Sequence, residues 1–180
     1  VRFVARHRNE PFFLHVTYNA PHFPLQVPEE DASPFLESGR FNWGVSTLYG
    51  MLLRMDKGVE RILAALDEHG LTDNTIVIFT SDNGPQFGSQ GERCTTRFNC
   101  HYHGAKGSVY EGGIRVPLLL RWPAGLEHTA SYDRLVHFTD WFPTLLAMAG
   151  IEIPSNVNLD GQNILSTLRG EVPDNPPRRF

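Results

Sequence analysis

The sequence predicts an α/β fold in which a mostly parallel sheet is flanked by helices. An amphipathic pattern over residues 48–66 leads directly into a hydrophobic run over residues 75–80, which is the helix–strand order of an α/β unit. Two further short apolar runs, over residues 12–18 and 118–122, are typical of buried strands. Polar, Gly and Pro residues follow these runs, so each strand is predicted to end in a loop.

Composition limits the class of protein. The chain has 180 residues, of which 41% are hydrophobic and 20% charged, as in a globular domain with a real core. Its formal net charge is -4, whereas a general nucleic-acid binder would be basic. No run is long and apolar enough to span a bilayer. We therefore expect a globular protein without a nucleic-acid partner or a membrane span, and its oligomeric state stays open.

The first predicted strand, over residues 12–18, leads into a loop that carries a histidine. His22 lies between Pro21 and Pro24 and is interpreted either as a solvated loop residue or as a side chain aimed from the end of a strand. The two prolines favour the second interpretation, because they restrict the backbone that positions the imidazole. The following residues, 25–45, are predicted as loop, with a solvated acidic face at Glu29, Glu30 and Asp31.

The clearest helix precedes the clearest strand. Gly70 is predicted to end this helix as its C′ residue, and the apolar residues of the helix recur at helical spacing: Leu48, Leu52, Met55, Val59, Ile62, Leu63 and Leu66. The strand over residues 75–80 stops at Ser-Asp-Asn-Gly-Pro, which brings Asp82 and Asn83 to its C-terminal tip. Carboxylate and amide oxygens are ligands that Ca²⁺ and Mg²⁺ prefer, so this tip is predicted to bind a metal.

A polar loop follows Pro85 and carries Cys94, Cys100, His101 and His103. The spacing of these four residues does not match common zinc-ligand patterns, which disfavours a zinc site. A disulfide between the two cysteines would suit a secreted protein and two free thiols a cytosolic one, and we favour the disulfide.

A glycine-rich segment over residues 104–117 precedes the last predicted strand. Its glycines predict tight turns or a close approach to a ligand. Lys106 lies among small residues, so its ammonium either reaches into a pocket or stays a flexible surface group. Glu111 and Arg115 are predicted to pair and brace the turn. Two helices are predicted after the strand, one capped by Thr139 or Asp140 and one over residues 164–168.

The candidate site residues follow or flank the predicted strand tips and can therefore converge at one edge of a sheet. A divalent cation held by Asp82 and Asn83 would attract and polarise an anionic ester. Lys106 would neutralise a non-bridging sulfuryl or phosphoryl oxygen, and His22 could hold or protonate the departing oxygen. This set suits transfer of a tetrahedral anion, although the chain offers no convincing nucleophile.

In these residues the chain resembles the later part of the catalytic domain of a sulfatase, a family of the alkaline-phosphatase-like superfamily. The specific strings are SDNGP at residues 81–85 and GAKGSVYEGGIRVP at residues 104–117. Matching segments also occur in family order at residues 11–28, 138–151 and 159–165. The resemblance implies that residues 1–170 are part of that domain, incomplete at its N-terminus, and residues 171–180 a linker or truncated tail.

The resemblance also implies roles for individual residues. Asp82 and Asn83 would be two ligands of Ca²⁺, with Mg²⁺ less favoured. Lys106 would contact the sulfate, His22 would lie beside the leaving oxygen, and His103, where many relatives carry Arg, would contact the substrate. The family nucleophile is a formylglycine made within a Cys/Ser-x-Pro-x-Arg motif, which this sequence lacks. We expect that motif and a pair of metal-binding aspartates upstream of residue 1.

Three functions are therefore weighed. The first is a calcium-dependent sulfatase acting on a sulfated small molecule or glycan, in a periplasmic, extracellular or lysosome-like compartment. The second is a phosphodiesterase or phosphonate hydrolase of the same superfamily. The third is a non-catalytic fragment, because the isolated chain is expected to be inactive. The SDNGP and EGGIRVP strings favour the first.

Overall fold

The computed structural model describes residues 1–87, 98–126 and 131–171. The chain divides into two compact units, Val1–Leu120 and Arg121–Phe180. The helices and strands of the described residues are α1 (Arg2–Arg6), α2 (Glu29–Glu37), α3 (Trp43–Glu68), β1 (Val77–Thr80), α4 (Glu111–Ile114), β2 (Leu118–Arg121), α5 (Phe138–Met148) and α6 (Leu165–Leu168). Within the described ranges, no helix has the length and hydropathy needed to cross a membrane.

Helix α3 is the central element of the first unit and confirms the predicted amphipathic helix. It begins earlier than the apolar pattern alone indicates, because Asn42 caps its N-terminus by accepting a hydrogen bond from the Val45 N–H at 3.0 Å. Gly70 follows the helix with a φ of +66°, the left-handed conformation that ends many helices. Buried residues of α3 belong to two hydrophobic clusters. Ala65 and Leu66 pack with Val4 in one, and Val45 and Leu48 form the other.

Helix α2 lies in a segment predicted to be loop, and of its three acidic residues Glu29 and Glu30 are exposed as predicted, whereas Asp31 is not. The Asp31 carboxylate is buried and accepts hydrogen bonds from Arg54 at 2.6 Å and from Lys57 at 3.1 Å, both on α3. The hydrogen bond from Arg54, and then that from Lys57, holds the pKa of Asp31 below its usual value. The prediction was wrong for Asp31 because its burial depends on two cations more than twenty residues away in the chain.

The sheet differs from the predicted one. Strands β1 and β2 form a two-stranded antiparallel sheet rather than a mostly parallel one. The Thr80 hydroxyl, at the end of β1, donates to the carbonyl oxygen of Pro117, directly before β2, at 2.9 Å. This contact sets the end of one strand beside the start of the other. The apolar run at residues 12–18 is not assigned as a strand, because no strand of the described ranges pairs with it and an extended segment needs a ladder partner.

The second unit contains α5 and α6. His137, rather than Thr139 or Asp140, caps α5, and the Asp140 carboxylate completes a capping box by accepting the His137 N–H at 2.7 Å. The other oxygen of Asp140 accepts the N–H of Gln162 at 2.9 Å, and the buried Thr144 hydroxyl accepts the N–H of Ile164 at 3.1 Å. Side chains of α5 therefore hold the segment that leads into α6.

Candidate active site

The tip of β1 and the glycine-rich segment meet through their backbones. The Gly84 N–H donates to the carbonyl oxygen of Gly113 at 2.8 Å, and the Lys106 N–H donates to the carbonyl oxygen of Pro85 at 3.0 Å. Two consecutive residues of one loop thus bind two separate points of the other, the turn at Lys106 and the end at Gly113. We call residues 81–85 the tip loop and residues 103–113 the lysine loop.

Glycine permits this close approach. A Cβ atom at Gly84 would overlap the carbonyl oxygen of Gly112, and one at Gly112 would overlap the carbonyl oxygen of Gly104. A Cβ at Gly113 would overlap the carbonyl oxygen of Ser108. These obstacles are backbone atoms, which cannot rotate away as a side chain can. The glycine density therefore reflects one close backbone contact between the two loops and two within the lysine loop, which agrees with the predicted tight turns and leaves the predicted approach to a ligand untested.

The tip loop leaves two oxygen ligands available. Asp82 is exposed, and no hydrogen bond or ion pair of the described residues involves its carboxylate. Asn83 donates from Nδ2 to the carbonyl oxygen of Gly84 at 2.9 Å, which orients the amide and leaves Oδ1 free to accept a cation. The Ser81 hydroxyl donates to the carbonyl oxygen of Asn83 at 3.0 Å and braces the turn. This donor set fits a hard divalent cation.

The described residues do not form a complete metal site by themselves. Among them, no group of three or more His, Cys, Asp or Glu side chains gathers around one point. Asp82 and Asn83 lie on consecutive positions and are joined to no further acidic or imidazole ligand in those ranges.

Lys106 lies in a tight turn of the lysine loop. The Ser108 N–H donates to the carbonyl oxygen of Ala105 at 3.0 Å, and the Ser108 hydroxyl donates to the same oxygen at 2.8 Å. The backbone of Lys106 is thereby fixed from both sides, since its own N–H binds Pro85. Its side chain is exposed, and in the described ranges no carboxylate pairs with the ammonium. The ammonium is available for an anion that comes to the tip loop.

His22 lies in its own turn, closed by the His22 N–H donating to the carbonyl oxygen of Asn19 at 2.7 Å. Its Nδ1 is 2.7 Å from the carbonyl oxygen of Phe23. Because a carbonyl oxygen can only accept, Nδ1 carries the proton and Nε2 faces away from this bond. The described hydrogen bonds do not connect His22 with the tip loop or the lysine loop. Its convergence with Asp82 and Lys106 stays a prediction.

For the remaining predicted residues, the structure shows contacts for some and leaves others as predictions. Glu111 and Arg115 form the predicted ion pair, with 3.0 Å between Oε2 and Nη1. The His103 ring contacts the Tyr110 ring edge to face, with centroids 4.4 Å apart. Cys100 is exposed and Cys94 lies outside the described residues, so the disulfide stays a prediction.

The structure therefore joins the loop that carries Asp82 and Asn83 to the loop that carries Lys106 through backbone hydrogen bonds. A cation held by the first loop and an anion held by the second would together supply what activation of an anionic ester requires. Sequence reasoning missed Tyr110 as a neighbour of His103. The available signal was the separation of His103 and Tyr110 along the glycine-rich segment. This separation predicts a contact only once the loop is known to close.

A family model described as Sulfatase matches residues 1–151 of the chain. The uncharacterized sulfatase YdeN of Escherichia coli (strain K12) is 34% identical over 179 residues, which are 98% of this chain and 30% of YdeN. The N-acetylgalactosamine-6-O-sulfatase of Bacteroides thetaiotaomicron is 36% identical over 178 residues, or 94% of this chain and 32% of that protein.

A solved structure is similar over most of the described fold. The crystal structure of Ps i-CgsB in complex with k-i-k-neocarrahexaose superimposes with a TM-score of 0.81 at 36% identity, covering 92% of this chain and 36% of that one. The chain thus spans about one third of the length of these relatives.

Proposed function

Since this chain belongs to the sulfatase family, we propose that the complete protein hydrolyses sulfate esters at the site formed by the tip loop and the lysine loop. The observation that carries the proposal is the pair of backbone hydrogen bonds from Gly84 to Gly113 and from Lys106 to Pro85. They fix the metal ligands Asp82 and Asn83 relative to the Lys106 backbone before any substrate arrives, and preorganisation of this kind is what electrostatic catalysis needs.

Lys106 binds the sulfate group in this proposal. An ammonium among small residues can approach a non-bridging oxygen closely, and its charge offsets the charge that builds up as the S–O bond breaks. Its exposed side chain and its fixed backbone support this role, because the charge is available while its anchor is rigid.

His22 acts on the leaving oxygen. With Nδ1 donating to Phe23, a protonated ring presents an Nε2–H that donates to the bridging oxygen and can transfer its proton as the alcohol departs. The Phe23 carbonyl fixes both the tautomer and the direction of the ring.

Asp82 and Asn83 would hold Ca²⁺ through a carboxylate oxygen and the amide Oδ1. When bound, the cation supplies positive charge that attracts the ester and polarises its oxygen. Asn83 is suited to this role because its Nδ2 is already held by Gly84, so the amide oxygen needs no reorientation.

We propose a sulfated glycan as the substrate class. The B. thetaiotaomicron relative is named for a sulfated amino sugar, and the Ps i-CgsB structure contains a neocarrahexaose. We further propose a formylglycine nucleophile and two additional metal-binding aspartates outside these 180 residues. A compartment outside the cytosol, periplasmic, extracellular or lysosome-like, fits substrates of this kind.

The test is turnover of 4-nitrophenyl sulfate by the complete protein. Lys106→Ala should lower kcat by about tenfold or more, and Asp82→Ala should abolish the part of the activity that Ca²⁺ restores after chelation. Asp73→Ala is the matched control, because Asp73 is an exposed carboxylate before β1, at the opposite end of the strand from Asp82. It should keep full activity.

Unchanged turnover in both site variants would remove these residues from the mechanism. Turnover of bis(4-nitrophenyl) phosphate in place of the sulfate ester would assign the same site to phosphodiester hydrolysis instead.

A further inference from the structure

The lysine loop has a closed neck. The Gly112 N–H donates to the carbonyl oxygen of His103 at 2.8 Å, which joins the two ends of the loop. Lys106 lies in the turn between them, and Tyr110 precedes α4 on the returning side. His103 and Tyr110 therefore flank the neck of the loop that carries the proposed sulfate-binding ammonium.

The two flanking side chains form one surface. Their rings meet at an interplanar angle of 64° with centroids 4.4 Å apart, an edge-to-face geometry that aromatic pairs favour. Both residues are nevertheless exposed, and Tyr110 retains 56% of its accessible surface. In the described ranges no hydrogen bond uses the Tyr110 hydroxyl or the His103 ring nitrogens. The pair combines a fixed aromatic face with unused polar atoms.

The segment leading into His103 is held in a costly conformation. Cys100 and His101 have φ values of 59° and 62°, a left-handed conformation that is strained for a residue other than glycine. The Asn99 amide compensates by donating to the carbonyl oxygens of Tyr102 at 2.8 Å and Gly104 at 3.1 Å. The backbone thus enters the neck in one defined path, and such strain accompanies functional loops more often than ordinary turns.

We infer that Tyr110 and His103 form a specificity surface for the sugar ring that carries the sulfate, an inference that rests on the proposed function. Tyr110 offers an aromatic face and a hydroxyl, and His103 offers ring nitrogens, so together they suit a neutral ring with hydroxyl groups. Lys106 is the only Lys or Arg between residues 98 and 112, so the segment that runs from His103 to Tyr110 contributes no second cation for another anionic group.

The experiment compares two substrates in the complete protein. The probes are N-acetylgalactosamine 6-sulfate and 4-nitrophenyl sulfate, and the measured quantity is the ratio of their kcat/KM values. Tyr110→Ala should lower this ratio in favour of the aryl ester by about tenfold, the scale of one lost contact in a recognition site. His103→Ala should shift it in the same direction, whereas Tyr110→Phe should retain most of the sugar preference.

Val109→Ala is the matched control, because Val109 is next to Tyr110, 84% exposed and without a ring. Its ratio should equal that of the wild type. An equal fall with both substrates in Tyr110→Ala and His103→Ala would make the pair structural and overturn the inference, as would wild-type turnover of the aryl ester alone. A protein that hydrolyses neither ester would reject the proposed function itself, and the inference with it.

Discussion

Two aspartates show how differently this molecule uses the same side chain. Asp82 follows β1, is exposed, and takes part in no hydrogen bond or ion pair of the described ranges. Asp140, in the first turn of α5, is 0% exposed, and its two oxygens accept the N–H groups of His137 and Gln162. One carboxylate is available to a ligand and the other is saturated by the protein.

The difference extends to the surroundings of each residue. Around Asp82 the two loops meet through backbone atoms, with glycines at the contacts, and the Asp82 carboxylate and the Lys106 ammonium have no hydrogen bond or ion pair in the described ranges. Around Asp140 the side chains themselves make the packing, and Thr144 adds a buried hydroxyl. Asp140 is saturated and buried, as a structural carboxylate is, whereas Asp82 combines an unpaired carboxylate with a loop whose backbone is held in place, as the proposed metal ligand requires.

The largest expected effect comes from breaking the backbone contact between the loops. Gly84→Ala places a Cβ on the carbonyl oxygen of Gly112, so the tip loop must move away from the lysine loop. A displacement of about 1 Å at a catalytic site can cost on the order of 100-fold in rate. We expect a loss of that size in kcat/KM for 4-nitrophenyl sulfate in the complete protein, accompanied by weaker Ca²⁺ dependence.

Gly70→Ala separates site geometry from stability. Gly70, unlike Gly84, has a positive φ, and no atom lies within 4 Å of the position that a Cβ would take there, so alanine adds only backbone strain of about 1–2 kcal/mol. This variant should melt earlier than the wild type and keep its turnover at low temperature. If Gly84→Ala behaves in the same way, the docking of the loops is not what sets the rate.

Part of this site could be predicted from sequence because its signals are local. Asp82 and Asn83 follow the end of a hydrophobic run, and the glycines around Lys106 predict tight turns or a close approach to a ligand. The pairing of β1 with β2 could not be predicted, since strand direction depends on which segments meet and not on the composition of each. The run at residues 12–18 shows the same limit, because its apolar pattern predicts a strand but cannot supply a partner.

Polar contacts between residues far apart in the chain could not be predicted from the sequence either. Helix α2 follows Pro28 and contains Pro34, so its local pattern indicates loop. Its acidic residue Asp31 is buried only because Arg54 and Lys57 lie opposite on α3. Periodicity locates the apolar face of α3 but does not reveal which of its charged residues meet a carboxylate.

The second prediction concerns Asp140. Asp140→Ala leaves the N–H groups of His137 and Gln162 without acceptors, which should lower the free energy of unfolding by about 1.5–3 kcal/mol. Urea denaturation of the complete protein measures this change, and turnover per folded molecule should stay near the wild-type value. Asp82→Ala should give the opposite pattern, with activity lost and stability retained. A catalytic loss in Asp140→Ala without destabilisation would break the comparison between the two aspartates.

The smallest effect is expected at Asp31, whose carboxylate is intermediate between those of Asp82 and Asp140. It is saturated like that of Asp140, but its partners Arg54 and Lys57 are each 56% exposed. Solvent therefore screens these ion pairs. Because the folded state lowers the pKa of Asp31, its stabilising contribution is complete above the ordinary aspartate pKa of about 3.9 and is lost as the pH falls through the lower folded value. Asp31→Asn should therefore reduce the melting temperature at neutral pH and flatten its decline in acid.

Glu30→Gln is the control, since Glu30 is 74% exposed and 3.8 Å from Arg54, and its acid profile should follow the wild type. An Asp31→Asn curve parallel to the wild-type curve would mean that the buried carboxylate does not contribute to the acid sensitivity of the fold.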